Sequence, residues 1–397
     1  MDNKMVDHIR DYAWEMQEEL LTWRHHLHQY PELSFKEHHT QDYLREILKE
    51  NGVNNITEIA RTGLLAKIPG KTTDGPVLVI RADMDALPVT EMNEVPYVSV
   101  NPGIMHACGH DVHMTCVLGA MKILKHFSLW DGTVYLLFQP AEEKLPGGAI
   151  EIVESGILQE INPRLIIGQH VDPTLDCGTV GYRPGTYMAS NDEIYFTISG
   201  KGGHAALPEQ VTQTSLAAAE TILSVTDIIR QNQPKNIPTV VAFGKIIAEG
   251  ATNVIPDKIF IEGTFRTMDE TWREKAHQLI RKTAQNVAVK YQAECDTKIK
   301  KGYPVLVNHT DAVKRATEFS SQYFGNKNVI PLDLRMTSED FAYYSQHFPA
   351  IFFRLGVKSP AEITPNKLHA ADFNIDEDVL PYGAGHLAWL VLRFLNE

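Results

Sequence analysis

The sequence predicts an α/β protein whose main domain holds a mixed, largely parallel sheet with helices on both faces, interrupted by an inserted α+β domain. Three observations support this prediction. The chain has 397 residues, more than one ordinary domain requires. In its first half, short apolar runs alternate with helix-length segments, which is typical of a parallel sheet covered on both sides. From about residue 186 to 301, half-buried strands and long helices indicate an antiparallel sheet backed by helices.

The first predicted elements are helices. Apolar residues from Ile9 to Leu27 recur alternately four and three apart, so they predict one long helix with a single apolar stripe. A second helix around Thr40–Leu48 is followed by Asn51-Gly52, a pair that commonly ends helices. Apolar runs then predict strands, and the segments between them predict helices: strands Val77–Ile80, Val134–Phe138, Leu165–Ile167 and Ile351–Leu355, and helices Thr115–Phe127 and Ala149–Ile157.

The inserted domain is predicted at residues 186–301, between main-domain segments 1–185 and 302–397. Ile194, Phe196 and Ile198 alternate with more polar neighbours and predict a half-buried strand. A helix, two strands, a second helix and a last strand follow: Leu216–Ile229, Val240–Ile247, Lys258–Thr267, Thr271–Tyr291 and a strand ending near Ile299. The main domain then resumes and closes with an apolar helix over His386–Leu395.

The composition disfavours several classes of protein. Lys and Arg number 37 against 50 Asp and Glu, and the net charge of -13 disfavours binding to nucleic acid or to anionic membranes. No apolar run reaches the roughly 18 residues of a membrane span, and residues 1–16 lack the apolar core of a secretory signal. The 4 cysteines are too scattered for a disulfide framework, so we expect a reducing compartment, the cytoplasm.

Polar side chains of the kind that bind ligands follow several predicted strands. Asp83 and Asp85 follow the first strand of the main domain, Glu142 and Glu143 follow the second, and His170 follows the third. Ligands of open α/β sheets bind in the crevice beyond the carboxyl ends of the strands. We therefore expect these side chains to converge there, although they are far apart in sequence.

The segment Met105–His113 is the densest group of metal-binding residue types, with three imidazoles and the thiol of Cys108. Two alternatives remain open. The segment could be a solvated helix start, capped by Asp111, with an inert buried thiol. Cys108 could also be a nucleophile with His110 as its base. The nearby carboxylates favour a metal site.

Glu142 and Glu143 are adjacent carboxylates after an apolar strand. In a dry pocket they would repel each other unless a cation compensated them. One could then bind the cation while the other moves a proton, as metal-assisted hydrolysis requires. The alternative is an exposed acidic turn. His170 and His369 are ambiguous by themselves, since core or cap histidines are common, and only convergence would make them ligands.

In the inserted domain, Gly200–Ala206 is rich in glycine but lacks the spacing of a nucleotide-binding loop. We expect its glycines to allow a sharp turn that presents His204, and an ordinary hairpin loop is the alternative. Arg266 shares a strand face with Glu262 and Thr264 and points away from that domain's core. A solvated sheet face is the alternative for Arg266.

Taken together, these residues resemble the M20 metallopeptidase family in its amidohydrolase branch, which includes aminoacylases, hippurate hydrolases and auxin-conjugate hydrolases. The resemblance covers nearly the whole chain and implies a zinc-peptidase-like catalytic domain with an inserted lid and dimerisation domain. It rests on motifs in a fixed order: Arg24–His28 with Pro31-Glu32, Arg81–Pro88, Met105–His113, Phe138–Glu143, Gly203–Ala206, Asn253–Asp257, Ser338–Phe341 and Leu368-His369.

The resemblance implies a two-metal site with a bridging thiolate, whose ligands are Cys108, His110, Glu143, His170 and His369. It implies Glu142 as the general base, and we expect Asp85 to orient a ligand. A lid histidine, His204, would act in the site of the partner subunit of a homodimer joined through the inserted domain, and Asn253 and Arg266 would help to hold the substrate. Zinc is favoured among the divalent ions, with Mn, Co, Ni and Fe as alternatives.

The expected activity is metal-dependent hydrolysis of the amide of a small N-acyl-amino acid. Three alternatives remain: a dipeptidase or carboxypeptidase on the same metal scaffold, a Cys108 thiol hydrolase, and a non-catalytic binding module. The chain departs from the family pattern after the lid histidine, at Leu207–Glu209, and after the glutamate pair, at Lys144–Pro146. These departures affect the expected shape of the substrate pocket, whereas the metal and base positions match.

Overall fold

The computed structural model describes residues 3–72, 74–128, 130–359 and 367–397, which form two compact units. The first unit comprises the described residues up to Gly185 together with Val307–Asp333 and those within Asp340–Glu397. The second comprises Thr186–Leu306 and Leu334–Glu339. The short segment Leu334–Glu339, predicted to belong to the main domain, is instead joined to the rest of the second unit by backbone hydrogen bonds of Arg335.

The secondary structure begins with six helices and seven strands among the described residues up to Met188. The helices are α1 (Asn3–Glu15), α2 (Gln17–Gln29), α3 (His38–Glu50), α4 (His110–Phe127), α5 (Gly148–Glu154) and α6 (Ile157–Ile161). The strands are β1 (Ile56–Ile59), β2 (Gly63–Pro69), β3 (Val77–Asp83), β4 (Thr133–Gln139), β5 (Leu165–Asp176), β6 (Val180–Tyr182) and β7 (Gly185–Met188).

The rest of the chain continues in the same alternating manner. The next elements are β8 (Asp192–Ser199), β9 (Gly203–His204), α7 (Thr214–Asn232), β10 (Thr239–Ala248), β11 (Val254–Ile255), β12 (Lys258–Thr267), α8 (Glu270–Lys290) and β13 (Glu294–Lys301). The last are β14 (Leu306–Asn308), α9 (Thr310–Phe324), β15 (Val329–Pro331), α10 (Ala342–His347), β16 (Ala350–Lys358) and α11 (Val379–Leu395). None of the described helices has the length and apolar character needed to cross a membrane.

The first unit is built on an eight-stranded sheet in the order β1-β2-β4-β3-β5-β16-β6-β15. Its central strands β4, β3, β5 and β16 are parallel, while β1 and β2 extend it in the antiparallel sense. Helices α4 and α11 pack together in the main core on one face. On the other face, the Phe341 ring packs at a tilt of 35° against Phe352 of β16, and an added Cβ at Gly168 of β5 would collide with both rings. The predicted fold class, a mixed and largely parallel sheet with helices on both faces, is confirmed.

Two predicted helices are divided in the structure. The stripe from Ile9 to Leu27 is buried as predicted, but α1 and α2 are separated at Met16, where the helical backbone is interrupted by one residue. The helix predicted at Ala149–Ile157 is divided between α5 and α6, because Gly156 adopts the left-handed conformation with φ of 82°. In both cases the apolar periodicity continues past the break, so periodicity alone does not locate it.

The second unit contains a four-stranded antiparallel sheet in the order β10-β12-β8-β13. Alternate residues of β8 are buried, as the sequence pattern predicts. They form a separate core with the inward residues of β12 and with helices α7 and α8, which pack against each other. The order strand, helix, strand, strand, helix, strand is thus the predicted one for the four-stranded sheet and its two helices.

Candidate functional site

The parallel strands of the first unit bring the polar strand-end residues together. Strands β3 and β4 end level with each other, with Asp83 opposite Gln139. Glu142 and Glu143 follow β4 directly, and His170 lies in β5 just beyond its last pairing with β3. All of these residues therefore lie at the carboxyl ends of the parallel strands, where a ligand crevice is expected.

The cluster around Cys108 lies at the start of α4, which begins earlier than the sequence pattern indicated. Gly109 precedes the helix with φ of 79°, a conformation that favours glycine, and an added Cβ would lie 2.6 Å from Cγ2 of Val171. Asp111 is not the cap. Its carboxylate is buried and accepts hydrogen bonds from Arg24, at 3.1 Å, and from His28, at 2.9 Å. The solvated helix start is therefore not what the structure shows.

All five predicted metal ligands lie in the first unit, and they form two groups that share one sulfur. The ligand atoms of Cys108, His110 and His170 lie within 4.8 Å of one another, and so do those of Cys108, Glu143 and His369. Cys108 Sγ is 3.3 Å from Nε2 of His170, and His369 Nε2 is 3.2 Å from a carboxylate oxygen of Glu143. Residues separated by more than two hundred positions are thus brought to one place.

The donor set fits divalent cations. Nε2 of His110 is a buried atom without a hydrogen-bond partner among the described residues. It faces Oε1 of Glu143, the oxygen that His369 also approaches, at 4.0 Å. Burial alone would lower the pKa of His110, but neighbouring carboxylates, foremost Asp83, raise it to about 10. The carboxylates around His110 thus create a negative potential at its ring, which would also attract a bound cation. Thiolate, imidazole and carboxylate together are ligands that zinc and similar ions accept.

The electrostatics disfavour the thiol-hydrolase alternative. Burial raises the pKa of Cys108 well above its usual value, and the carboxylates of Glu143 and Glu142 raise it further. Burial also holds the pKa of His170, whose Nε2 lies 3.3 Å from the thiol, well below its usual value. A neutral thiol beside a neutral imidazole is a poor nucleophilic pair, whereas a cation bound to the sulfur would favour the thiolate.

Asp85 holds the backbone that carries the two glutamates. Its carboxylate oxygens accept the N–H groups of Glu142, at 2.9 Å, and Glu143, at 3.0 Å. The backbone carbonyl of Asp85 lies 2.7 Å from Nδ1 of His110 and accepts its proton, which leaves Nε2 to face Glu143. Asp85 thus fixes both the imidazole of His110 and the glutamate pair, and Glu142 itself is buried beside them.

The remaining predicted site residues belong to the second unit. The sharp turn predicted before His204 requires Gly202, where an added Cβ would lie 2.5 Å from the carbonyl oxygen of Ile255. Strand β9 pairs with β11, and Ala205 N–H donates to the carbonyl of Asn253, so His204 and Asn253 lie on adjoining segments. Arg266 lies opposite the core face of β12 and donates to the Met336 carbonyl at 3.0 Å.

Some residues that shape the site were missed in the sequence. Glu37 is buried and accepts the N–H of Ala141 at 2.9 Å, directly before the glutamate pair. Ser34 donates to the Asp85 carboxylate at 2.6 Å. Both residues lie in the irregular segment between α2 and α3, and no local pattern marks them. Only the three-dimensional contact of this segment with the strand ends shows their role.

The chain is similar to known proteins over most of its length. The family model described as peptidase family M20/M25/M40 matches residues 79–393. An N-acetyl-L-cysteine deacetylase from Bacillus subtilis is 36% identical over 366 residues, which cover 92% of this chain and 85% of that protein. An IAA-amino acid hydrolase from Arabidopsis thaliana is 36% identical over 379 residues, covering 94% and 85%.

A solved structure agrees with these relatives. The crystal structure of a Bacillus subtilis protein described as a dinuclear metal-binding peptidase of family M20 has a TM-score of 0.83 and 30% identity, and it covers 96% of this chain and 99% of that one. Sequence and fold thus agree over almost the full length. The chain belongs to peptidase family M20/M25/M40.

Proposed function

We propose that the protein is a metal-dependent amidohydrolase that cleaves the amide bond of N-acyl-amino acids. The observation that carries this proposal is the pair of ligand groups sharing Cys108, with the carboxylate of Glu142 beside them. A lone metal site could be structural, but two adjacent sites next to a buried, separately held carboxylate are suited to hydrolysis. The names of the two curated relatives, a deacetylase and an amino-acid conjugate hydrolase, support the same class of substrate.

In this proposal the cations are held by Cys108, His110, Glu143, His170 and His369. When bound, divalent ions at such a site would acidify a water molecule and polarise the substrate carbonyl. The solved M20 relative is described as dinuclear, which supports two ions here. We favour zinc because the site combines a thiolate with imidazoles, and Mn, Co, Ni and Fe are the alternatives.

Glu142 is the proposed general base. It accepts a proton from the attacking water and returns it to the leaving nitrogen, a role that contributes roughly 10²–10⁴-fold to rate. Asp85 is proposed to keep this carboxylate and the ligand Glu143 apart, since it holds the backbone amides of both. A fixed backbone lets two adjacent side chains take different roles.

The inserted unit is proposed to be a lid and dimerisation domain, with the surrounding unit as the catalytic domain. We assign His204 to the stabilisation of the developing oxyanion, contributed by the insertion of a second copy, and Asn253 and Arg266 to substrate binding. These assignments rest on the family motifs. The second unit also has surfaces suited to a homodimer: β10 is an edge strand of its sheet, and Leu216 and Leu223 of α7 are 53% and 67% exposed.

We propose that the protein works in the cytoplasm. The four cysteines are free, and two of them, Cys108 and Cys116, are buried. Free thiols of this kind are typical of reducing compartments.

The proposed function is tested by turnover of a substrate panel. Metal-loaded protein is incubated with N-acetyl-amino acids, longer N-acyl-amino acids and unblocked dipeptides, and the free amine is quantified. We expect hydrolysis of N-acyl-amino acids, its loss on chelation, and a fall of at least about 10²-fold in Glu142→Gln with metal content retained. Glu154→Gln, an exposed position at the end of α5, is the matched control and keeps full activity.

Other outcomes identify the alternatives. Faster turnover of dipeptides than of N-acyl-amino acids would identify a peptidase on the same scaffold. Chelator-resistant activity abolished by iodoacetamide would identify a thiol hydrolase. Binding of N-acyl-amino acids without turnover would identify a binding module. Each of these results contradicts the proposal.

A further inference from the structure

The ring of His170 is oriented by the backbone that follows it. Its Nδ1 lies 2.8 Å from the carbonyl oxygen of Val171. A carbonyl can only accept a hydrogen bond, so Nδ1 carries the proton and Nε2 is left unprotonated. That Nε2 is the atom 3.3 Å from Cys108 Sγ. The geometry of the proposed ligand therefore depends on where Val171 is held.

Val171 is held in turn by a histidine from α4. The N–H of Val171 donates to Nε2 of His113 at 2.9 Å. Because Nε2 accepts this proton, the proton of the neutral His113 ring is on Nδ1, which lies 2.5 Å from the carboxylate of Asp83. His113 and Asp83 are both completely buried. The result is a continuous chain of hydrogen bonds from Asp83, through His113 and the Val171 backbone, to His170.

Asp83, the first member of this series of hydrogen bonds, is fixed in the central sheet. Arg81 donates to Asp83 at 2.6 Å and to Asp340 at 2.8 Å, and all three side chains are buried. The guanidinium compensates the charge of Asp83 that burial would otherwise disfavour. Asp83 is thus a rigid acceptor, and it lies at the end of β3 rather than on a loop.

His113 also lies in a group of metal-ligand types with Asp83 and His110, whose ligand atoms are within 4.8 Å of one another. Both ring nitrogens of His113 are already engaged, however, one as donor and one as acceptor. Binding a metal there would break one of these hydrogen bonds. The geometry favours a supporting role for His113 over that of a third-site ligand.

We propose that His113 is a positioning residue that, through the Val171 backbone, holds His170 in the orientation needed to bind metal. The proposal rests on the proposed function, since it presupposes that His170 is a ligand. Groups that orient metal-bound histidines are usually carboxylates or carbonyls in direct contact with the imidazole. Here the carbonyl of Val171 contacts His170 directly, and a second histidine, His113, holds the Val171 backbone in place.

Two substitutions separate the two hydrogen bonds of His113. The amide oxygen of a glutamine can reach the position of Nε2, so His113→Gln retains an acceptor for Val171 N–H. The shorter asparagine reaches only the position of Nδ1, so His113→Asn loses that acceptor and keeps a contact with Asp83. His126→Asn is the matched control, because His126 is exposed and lies at the far end of the same helix.

The readouts are the zinc dissociation constants, from competition with a chromophoric chelator, and the urea midpoint of the metal-free proteins. We expect His113→Asn to weaken zinc binding by about 10–100-fold, with His113→Gln close to the unsubstituted chain and to His126→Asn. The metal-free midpoint of His113→Asn should lie below that of His113→Gln, because the buried Val171 N–H loses its acceptor in the Asn variant. The zinc dissociation constants are therefore compared without urea, where both variants are folded.

Three results would overturn the proposal. One is unchanged zinc affinity in His113→Asn, and another is an equal loss in the Asn and Gln variants. The third is a zinc stoichiometry that is lower by one ion in His113→Asn than in the unsubstituted chain, which would make His113 a ligand. Should His113→Asn fail to fold, Asp83→Asn tests the same series of hydrogen bonds, because Asp83 holds His113. We expect Asp83→Asn to weaken zinc binding as well. If the unsubstituted chain binds no zinc or other divalent ion, the proposed function itself fails.

Discussion

Glu37 shows how a single residue from a distant segment can support the site. Its carboxylate accepts the N–H of Ala141, while Asp85 accepts the next two amides, so three successive amides before and within the glutamate pair are bound by carboxylates. Glu37 directly precedes α3 and does not cap it. Its role is therefore to hold the end of β4 and, with it, Glu142.

Glu37 should make stability depend on pH in a defined direction. Burial, with the charge of Asp85, raises the pKa of Glu37 from 4.5 to about 7. Between these values the folded protein binds the proton more tightly than the unfolded chain, so its stability falls as pH rises from about 4.5 to about 7 and then levels off. The glutamine of Glu37→Gln does not titrate, so the stability of this variant lacks that pH dependence.

The check is urea unfolding of the metal-free protein and of Glu37→Gln at several pH values. We expect the stability of the variant relative to the unsubstituted chain to increase by on the order of 3 kcal/mol between pH 4.5 and pH 8. Groups unaffected by the substitution cancel in this difference. A difference that does not change with pH would show that Glu37 titrates normally.

At the scale of elements, the start of α4 is the part on which the site most depends. It carries Cys108 and His110 on either side of Gly109, and Val171 of β5 packs against that glycine. The position has two constraints, a positive φ and a neighbour at 2.6 Å from an added Cβ. Close packing between the helix start and the strand end thus brings Cys108 and His110 close to His170, which the proposal requires.

Gly109→Ala should therefore cost more than backbone strain alone. Gly156 is the matched control, because it has φ of 82° and no atom within 4 Å of an added Cβ. We expect Gly156→Ala to lose about 1–2 kcal/mol of unfolding free energy, the cost of the left-handed conformation. Gly109→Ala should lose more and also bind zinc more weakly, as measured by urea unfolding and chelator competition. Equal losses, with zinc binding intact, would contradict the account.

Secondary-structure elements were predictable where their apolar residues alone identify the buried face. This holds for the apolar runs of β3, β4 and β5 and for the stripe of α1 and α2. Periodicity does not report the break at Met16 or the early start of α4, and the latter coincides with the close packing of Gly109 against Val171. In the same way, Cys108 and Glu143 were recognisable from their chemistry and their family motifs, whereas Glu37 acts only through a backbone contact.

At the scale of the whole molecule, the proposed dimer makes a further prediction. Leu223 is 67% exposed on α7 of the second unit, and exposed apolar patches often mark contact surfaces. Leu223→Glu should shift the protein from dimer to monomer in size-exclusion chromatography with light scattering. It should also lose activity while retaining its fold, because His204 is proposed to act in the partner's site.

The matched control for the dimer is Val289→Glu. Val289 is 65% exposed on α8. The substitution therefore introduces the same charge at a comparably exposed apolar position of the same unit. We expect this variant to remain dimeric and active. A monomeric unsubstituted protein, or a monomeric Leu223→Glu variant with full activity, would contradict the proposed use of two copies.

The proposed function depends on one cleft in which two ions are held by the same five side chains: Cys108, His110, Glu143, His170 and His369. Anomalous diffraction from zinc-loaded crystals, recorded above and below the zinc absorption edge, locates bound zinc without reference to activity. We expect two peaks, one among Cys108, His110 and His170 and one among Cys108, Glu143 and His369. Peaks located elsewhere, or no zinc at these five side chains, would contradict it.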